Sequence, residues 1–251
     1  MSKDIFKAGM FFLALGIFNS SQAAVIDFET VPGGSPADQL AISNQYLSTH
    51  GVSFSLLGGG TPYLERVGIS DSGQGFWNAQ RRTYDVESPG FEGGLGDYFL
   101  RFNTGTLSTA PGPTLLIYYL NPVSAASAQI WDIDAAPNNT NGYESWMVTA
   151  YDNSGTAIDT LYSPIGINEN SLSSLNGKPW EWSFNRAGKD IYSIQIAFNG
   201  TANIVGLAFD NFSPAGKATT PPPPTTTVPE PATLWLLCLG LFSLYPGLRR
   251  N

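Results

Sequence analysis

The chain has 251 residues and a formal net charge of −8, from 20 Asp plus Glu against 12 Lys plus Arg. That balance argues against nucleic acid and polyanionic matrix as direct ligands, because both demand a basic face. The single cysteine, Cys238, lies in an apolar tail, so the preceding chain can hold no intramolecular disulfide, thiol nucleophile or thiolate metal site.

In chain order, Lys3 and Lys7 precede an apolar stretch from Ala8 to Phe18, and Ser21-Gln22-Ala23 offers small residues at the two positions a signal peptidase reads. Residues 1–23 are therefore expected to be a signal peptide, with the exported part beginning at Ala24. From Ala24 to Val228 there are 18 Asp plus Glu and 8 Lys plus Arg, a net charge of −10. About 190 residues between the two apolar ends suffice for one well-buried core without staples.

The exported region reads as strands separated by turns. Ala24 to Val31 alternates, with Val25, Asp27 and Glu29 on one face and Ile26, Phe28 and Thr30 on the other. Leu40 to Leu47 suits a short helix or loop, and Gly51 to Leu56 a half-buried strand. Between Gly68 and Gly96 recurring glycines around Phe76-Trp77, Tyr84 and Phe91 predict long ordered loops. Tyr98 to Asn103, Thr114 to Leu120 and Ala128 to Asp134 are three further strands. Tyr143 to Tyr151 and Ala157 to Tyr162 flank Asp152-Asn153-Ser154-Gly155 and read as a hairpin. Trp180 to Phe184, Ile191 to Phe198 and Ile204 to Phe212 complete the set. Short strands with turn signals between them and almost no helical periodicity predict an all-β fold, an antiparallel β-sandwich over 24–215, most naturally of jelly-roll arrangement.

Gly216 to Thr227 contains four consecutive prolines, Pro221 to Pro224, and reads as an extended spacer. Beyond it Val228-Pro229-Glu230-Pro231 is followed by 17 uncharged residues, Ala232 to Leu248, and by Arg249-Arg250-Asn251. Seventeen apolar residues are at the short limit of a membrane span. Pro246 shortens the good helix further. The arginine pair would hold the C-terminus on the cytoplasmic side. In that order, Pro229, Glu230 and Pro231, the apolar helix and the basic pair Arg249 and Arg250 resemble the PEP-CTERM sorting signal of Gram-negative bacteria. The resemblance spans residues 228–251. It implies recognition by an exosortase, transient anchoring in the inner membrane, processing near the Pro-Glu-Pro site, and delivery to the cell surface or an exopolysaccharide matrix. More weakly, Ile26-Asp27-Phe28-Glu29, Gly51-Val52-Ser53-Phe54, Trp131-Asp132-Ile133-Asp134 and Phe209-Asp210-Asn211-Phe212 resemble segments of galactose-binding-like sandwiches.

Few residues point to catalysis. His50, the single histidine, lies between Ser48 and Ser53 with no Gly-x-Ser-x-Gly elbow, and reads as a loop histidine. Glu65, Glu87, Glu92, Glu144, Glu169 and Glu181 could in principle supply the carboxylate pair of a secreted glycan-active hydrolase, which is the alternative to a non-catalytic module. A hard cation such as Ca2+ has better support, from two oxygen-rich groups. Asp27 and Glu29 share a face of the first predicted strand and could meet Asp210 and Asn211 on the last. Asp132 and Asp134 lead into Asn138, Asn139 and Asn141, with Glu144 beyond. Against this, such side chains commonly cap turns. Trp180 and Trp182 on one strand face, with Trp77 in the glycine-rich region, are candidates for stacking on sugar rings, although tryptophan more often buries its bulk. The expectation is an exported structural or adhesive module, without catalysis, that binds carbohydrate such as exopolysaccharide through these tryptophans.

Overall fold

The computed structural model describes residues 25–67, 87–101, 113–134, 142–167, 174–202 and 208–215. Among them are one helical turn, α1 (Leu47–His50), and ten strands. The strands are β1 (Val52–Leu56), β2 (Tyr63–Arg66), β3 (Tyr98–Arg101), β4 (Leu115–Val123), β5 (Ala125–Trp131), β6 (Trp146–Tyr151), β7 (Ala157–Tyr162), β8 (Pro179–Asn185), β9 (Ile191–Phe198) and β10 (Ala208–Ser213). They form two five-stranded sheets, ordered β1-β4-β9-β6-β7 and β2-β3-β10-β5-β8, with every pairing antiparallel. If β3 to β10 are counted as eight strands, one sheet reads first, eighth, third, sixth, and the other second, seventh, fourth, fifth. That is the jelly-roll order. β1 and β2 each add an edge strand. The all-β sandwich expected from the alternation is thus the fold.

The core follows from the period-2 pattern. Val52, Phe54, Ile117, Val148, Ile194 and Ile196 face inward from one sheet, and Leu100, Ile130, Trp182, Phe184 and Phe209 from the other. Trp146 meets Phe209 edge-on across the gap at 5.5 Å between ring centroids, as aromatic quadrupoles prefer. The second sheet also buries part of its outer side: Phe99, Trp131 and Ala208 pack with Leu95, and Phe91 stands edge-on to Trp131 at 6.4 Å. The loop around residues 91–95 therefore covers that face.

Several segments differ from their sequence reading. Residues 25–28 alternate in burial as expected, with Ile26 and Phe28 buried and Val25 and Asp27 exposed, but Thr30, expected to face inward with them, is exposed while Val31 is buried, and the segment is no strand. A single bridge, Ile26 to Phe212, ties it to β10, and Phe28 at φ 60° turns the chain out of extended geometry. Its ring is held among Tyr46, Phe54 and Phe212, with centroids 5.7 to 5.8 Å away. The helical turn begins at Leu47, where Leu40 to Leu47 was expected to be a helix or loop. β2 has no counterpart in the sequence reading, because Tyr63-Leu64-Glu65-Arg66 buries Leu64 and the charged Glu65 side by side and so does not alternate. β5 ends at Trp131, so Asp132 and Asp134 are not on a strand; Asp132 takes φ 68° just beyond it. The hairpin of β6 and β7 is as expected: Asp152 Oδ1 accepts from the amides of Ser154 and Thr156, each at 2.9 Å, and Gly155 supplies φ 79°. The chain divides into two compact units, Met1–Lys217 and Ala218–Asn251. The expected signal peptide, spacer and sorting signal lie outside the described residues.

Candidate functional site

The most developed polar site sits where the N-terminal segment meets β10. The bridge is made of two backbone bonds, Ile26 N to Phe212 O at 2.8 Å and Phe212 N to Ile26 O at 3.0 Å. Because Ile26 and Phe212 point into the core, their neighbours Asp27 and Asn211 face the other way. Together with Glu29, Gly93, Gly94, Leu95, Gly96 and Asp210 they line a pocket of about 160 Å3. Glu29 is fastened to the loop before β3: its Oε1 accepts from the amides of Asp97 at 2.7 Å and Tyr98 at 3.0 Å. Gly96, at φ 71°, permits this approach, since a Cβ there would strike the Glu29 carboxylate. Asp27 Oδ1 accepts from the Glu29 amide at 3.1 Å and its side chain is otherwise open to solvent.

Asp210 differs from its neighbours. It is 1% exposed. Its Oδ2 accepts from Asn211 Nδ2 at 3.0 Å, while its Oδ1 is buried with no hydrogen-bond partner. Burial above all, and then the nearby charges of Asp27 and Glu29, hold its carboxyl well above the usual carboxylate range, against the opposing pull of the Asn211 backbone N–H. Tyr46 is raised for related reasons, chiefly burial, then the charges of Asp27, Asp210 and Glu29. β10 is bulged after Asp210, and Asn211 sits there at φ 55°. Such a bulge re-aims side chains at a sheet edge or site. Among the described residues no group of three or more His, Cys, Asp or Glu side chains is placed so that it could hold a metal ion.

The second acidic group is not assembled in the same way. Asp132 Oδ1 accepts from the Gly177 amide at 2.9 Å. Glu144 is fully buried, accepting from Trp146 Nε1 at 2.8 Å and the Asp134 amide at 3.3 Å. These carboxylates hold backbone and an indole in place, which is the turn-fixing role weighed against metal binding. Asn138, Asn139 and Asn141 lie outside the described residues.

The tryptophan platform is corrected. Trp180, Trp182 and Phe184 do share one face of β8, but it is the inward one. Trp182 is buried in the core, and Trp180 is half-buried and packed against it. Trp182 therefore presents no ring to a sugar. Trp77 lies outside the described residues. His50 shares a hydrogen bond of 2.8 Å with Thr49 Oγ1 and packs edge-on to Tyr46. Of the hydrolase candidates, Glu65 is ion-paired to Arg101, Glu87 binds the amides of Gly93 and Leu95, Glu92 binds that of Gly90, and Glu181 accepts from Gln129. Glu169 lies outside the described residues.

A second surface was not anticipated. The outer face of the β1-β4-β9-β6-β7 sheet is assembled by register into rows. One row is Ser53, Tyr118, Ser193, Tyr151 and Ala157; the next is Ser55, Leu116, Gln195, Thr149 and Thr160; the third is Ala197, Met147 and Tyr162. None is charged. Tyr118 is 46% exposed and Tyr162 60%, while Leu116 and Thr149 form a buried floor between them. The sequence did not mark it: Leu115 to Leu120 is apolar on both faces, and only the burial of Leu115, Ile117 and Tyr119 shows that Tyr118 faces outward.

Fold and surfaces together define a jelly-roll module with one covered face, one open uncharged face and an acidic pocket at its closing strand. Residues 227–250 match the PEP-CTERM protein-sorting motif family, so the chain carries this sorting signal and is an exported protein sorted by an exosortase. Among the described residues no helix is long and apolar enough to cross a membrane, and the expected span 232–248 lies outside them. No curated protein matches the chain. Among solved structures it is similar to the enzymatically active domain of bacteriophage CBA120 tailspike protein 4, at 14% identity and a TM-score of 0.26, over 68% of this chain. The chain spans only 20% of that protein, and a likeness so slight transfers no function.

Proposed function

We propose that this protein is a non-catalytic adhesive module of the cell surface or extracellular matrix that binds uncharged polysaccharide on its open sheet face. The supporting observation is the charge-free composition of that face in a chain of net charge −8. An acidic protein repels anionic polymers overall, so a neutral sugar is the consistent ligand. Sugar rings pack their C–H faces on aromatic rings and need nearby hydroxyl or amide partners for their own hydroxyls. Tyr118 and Tyr151, in one row two strands apart, are separated by about 10 Å of sheet. Ser53, Ser55, Ser193, Gln195, Thr149 and Thr160 stand among them. Among the described residues, the glutamates considered for a hydrolase are engaged in fixing loops, bonding an indole, pairing with Arg101 or bonding Gln129, which favours binding over turnover.

Affinity electrophoresis of the protein through gels containing neutral polysaccharides tests the reading. Retardation is expected, and Tyr118→Ala or Tyr162→Ala should weaken it by about tenfold or more, worth about 1.4 kcal/mol. Their melting temperatures should stay within about 2 °C of wild type, because exposed rings contribute little to the fold. Retardation that is absent, or indifferent to both substitutions, would sink the proposal. A separate expectation concerns processing: mass spectrometry of the surface-released protein from its native host should find a chain lacking residues from about Ala232 onward, whereas recovery of Asn251 would make the tail a permanent anchor.

A further inference from the structure

We infer that Arg186 and Asp159 guard the free edge of the open sheet and so keep two copies of this chain from joining strand to strand along β7. This holds whether or not the face of that sheet binds polysaccharide. β7 ends the order β1-β4-β9-β6-β7. The opposite edge, β1, is covered by the chain itself: Phe54 N donates to Ser43 O at 2.9 Å and Leu56 N to Gly60 O at 3.2 Å. Among the described residues no backbone bond reaches β7 from its outer side. An uncovered edge of this kind is a template for another strand.

The register identifies which backbone groups face outward. Ser163 N donates to Trp146 O at 2.9 Å, so Trp146 and Ser163 form a bonded pair. Bonded and non-bonded pairs alternate along an antiparallel ladder. Val148–Leu161 and Ala150–Asp159 are therefore bonded, whereas Met147–Tyr162 and Thr149–Thr160 turn their backbone groups away from each other. Thr160 and Tyr162 thus point theirs at the free edge, and Ile158, the extra residue at the register shift, adds its carbonyl.

Two of these groups are already engaged. Thr160 N donates to Asp159 Oδ1 at 2.9 Å, and Ile158 O accepts from Arg186 Nη1 at 3.2 Å. Arg186 is held in place by other bonds: Nε and Nη2 donate to Asp190 Oδ1 and Oδ2 at 2.6 and 2.8 Å, and its backbone amide donates to Ser124 O at 2.8 Å. A two-point fork to one carboxylate fixes the guanidinium plane. Nη1 is left for β7, where Asp159 Oδ2 lies 4.0 Å away. A staple for the β8–β9 turn would need Asp190 alone. Past Tyr162, Pro164 has no N–H to offer, and its carbonyl accepts from Ser163 Oγ at 2.7 Å. Of the outward residues only Tyr162 keeps both backbone groups open, which is too little for an arriving strand. A second copy pairing about a two-fold axis would also bring its own Asp159 to the same edge, like charge beside like charge.

Residue-resolved amide exchange and sedimentation of the full chain in mild detergent, over a range of concentrations, test this. In wild type the Thr160 amide should be protected, at a rate independent of concentration. Asp159→Ala, at a side chain 44% exposed, should leave the melting midpoint within about 2 °C and let Thr160 exchange about fivefold faster when dilute. Asp159→Ala combined with Arg186→Ala should self-associate more tightly than wild type by about tenfold or more, with the Thr160 and Tyr162 amides slowing as concentration rises. Adding Thr160→Pro removes the outward N–H and should restore wild-type sedimentation, since proline is tolerated on an edge strand. A double variant that sediments as wild type overturns the inference, and so does association that leaves the Thr160 and Tyr162 amides unchanged. A Thr160 amide that exchanges no faster in Asp159→Ala overturns it as well, and that measurement decides even if the other variants do not fold.

Discussion

Trp182→Ala should lower the stability of the sandwich by about 3–5 kcal/mol, the cost of truncating a fully buried aromatic ring and leaving a cavity. Trp182 is 1% exposed, pairs with Phe184 at 5.9 Å between centroids, and sits on β8 opposite Ala128 of β5. Alanine across the strand offers little volume to relax into the space the indole would vacate. Its Nε1 is buried without a partner. That makes Trp182→Phe a useful companion: it loses some packing but also removes an unsatisfied donor that costs about 1–3 kcal/mol, so the two effects should cancel to within about 1 kcal/mol. Urea unfolding of both variants reads this directly, as a fall in the midpoint at constant slope for the alanine variant alone. A Trp182→Ala chain as stable as wild type would mean that the ring is not in the core and would return it to the surface.

The fold was legible where burial alternates. β1, β4, β6, β9 and the β6–β7 hairpin all carry period-2 patterns or an Asp-Asn-Ser-Gly turn, and each was found within a few residues of its ends. Legibility failed where one rule was overridden by packing. Tyr63-Leu64-Glu65-Arg66 hides a charged side chain in an ion pair, so β2 looks like neither strand nor loop. Residues 25–28 show a strand's alternation but the chain is turned aside at Phe28, whose ring is fixed among three other aromatics. Alternation reports which side chains are inside; it does not report whether a neighbouring strand is there to pair with.

The candidate site was half legible for a similar reason. Asp27, Glu29, Asp210 and Asn211 were paired from chain order alone, since a jelly roll brings its first and last segments together. The glycine-rich loop at residues 93–96 could not be placed, because glycines mark a permissive backbone without saying which side chain will approach it. Trp180 and Trp182 were assigned to one face correctly, yet periodicity cannot say which of a strand's two faces is inward. Phe184, two residues further on the same face, together with the polar alternates Glu181 and Ser183, was the available clue. The same ambiguity concealed Tyr118 and Tyr162, whose exposure follows only once β4 and β7 are known to present their other faces to the core.

Arg101→Ala should cost about 3–5 kcal/mol, the penalty of stranding one member of a buried ion pair. Arg101 Nη1 donates to Glu65 Oε2 at 2.7 Å, with the side chains only 7% and 3% exposed. In the β2–β3 register Glu65 faces Phe99 and Tyr63 faces Arg101, so the pair is a diagonal contact on one face of the sheet. Glu65 Oε1 has no hydrogen-bond partner, so with the guanidinium gone the whole carboxylate would be buried without compensation. Glu65→Gln should cost less, because it keeps an acceptor for Arg101 and its shape while removing the charge. Combining Glu65→Leu with Arg101→Met should recover most of the loss seen in Arg101→Ala, since well-packed apolar residues often replace a buried pair at little cost. Denaturant midpoints of the four chains separate two roles. If Arg101→Ala and the double variant fall equally, the stranded Glu65 carboxylate is not the source of the loss; if only the single variant falls, the reading that arginine offsets the carboxylate's burial stands.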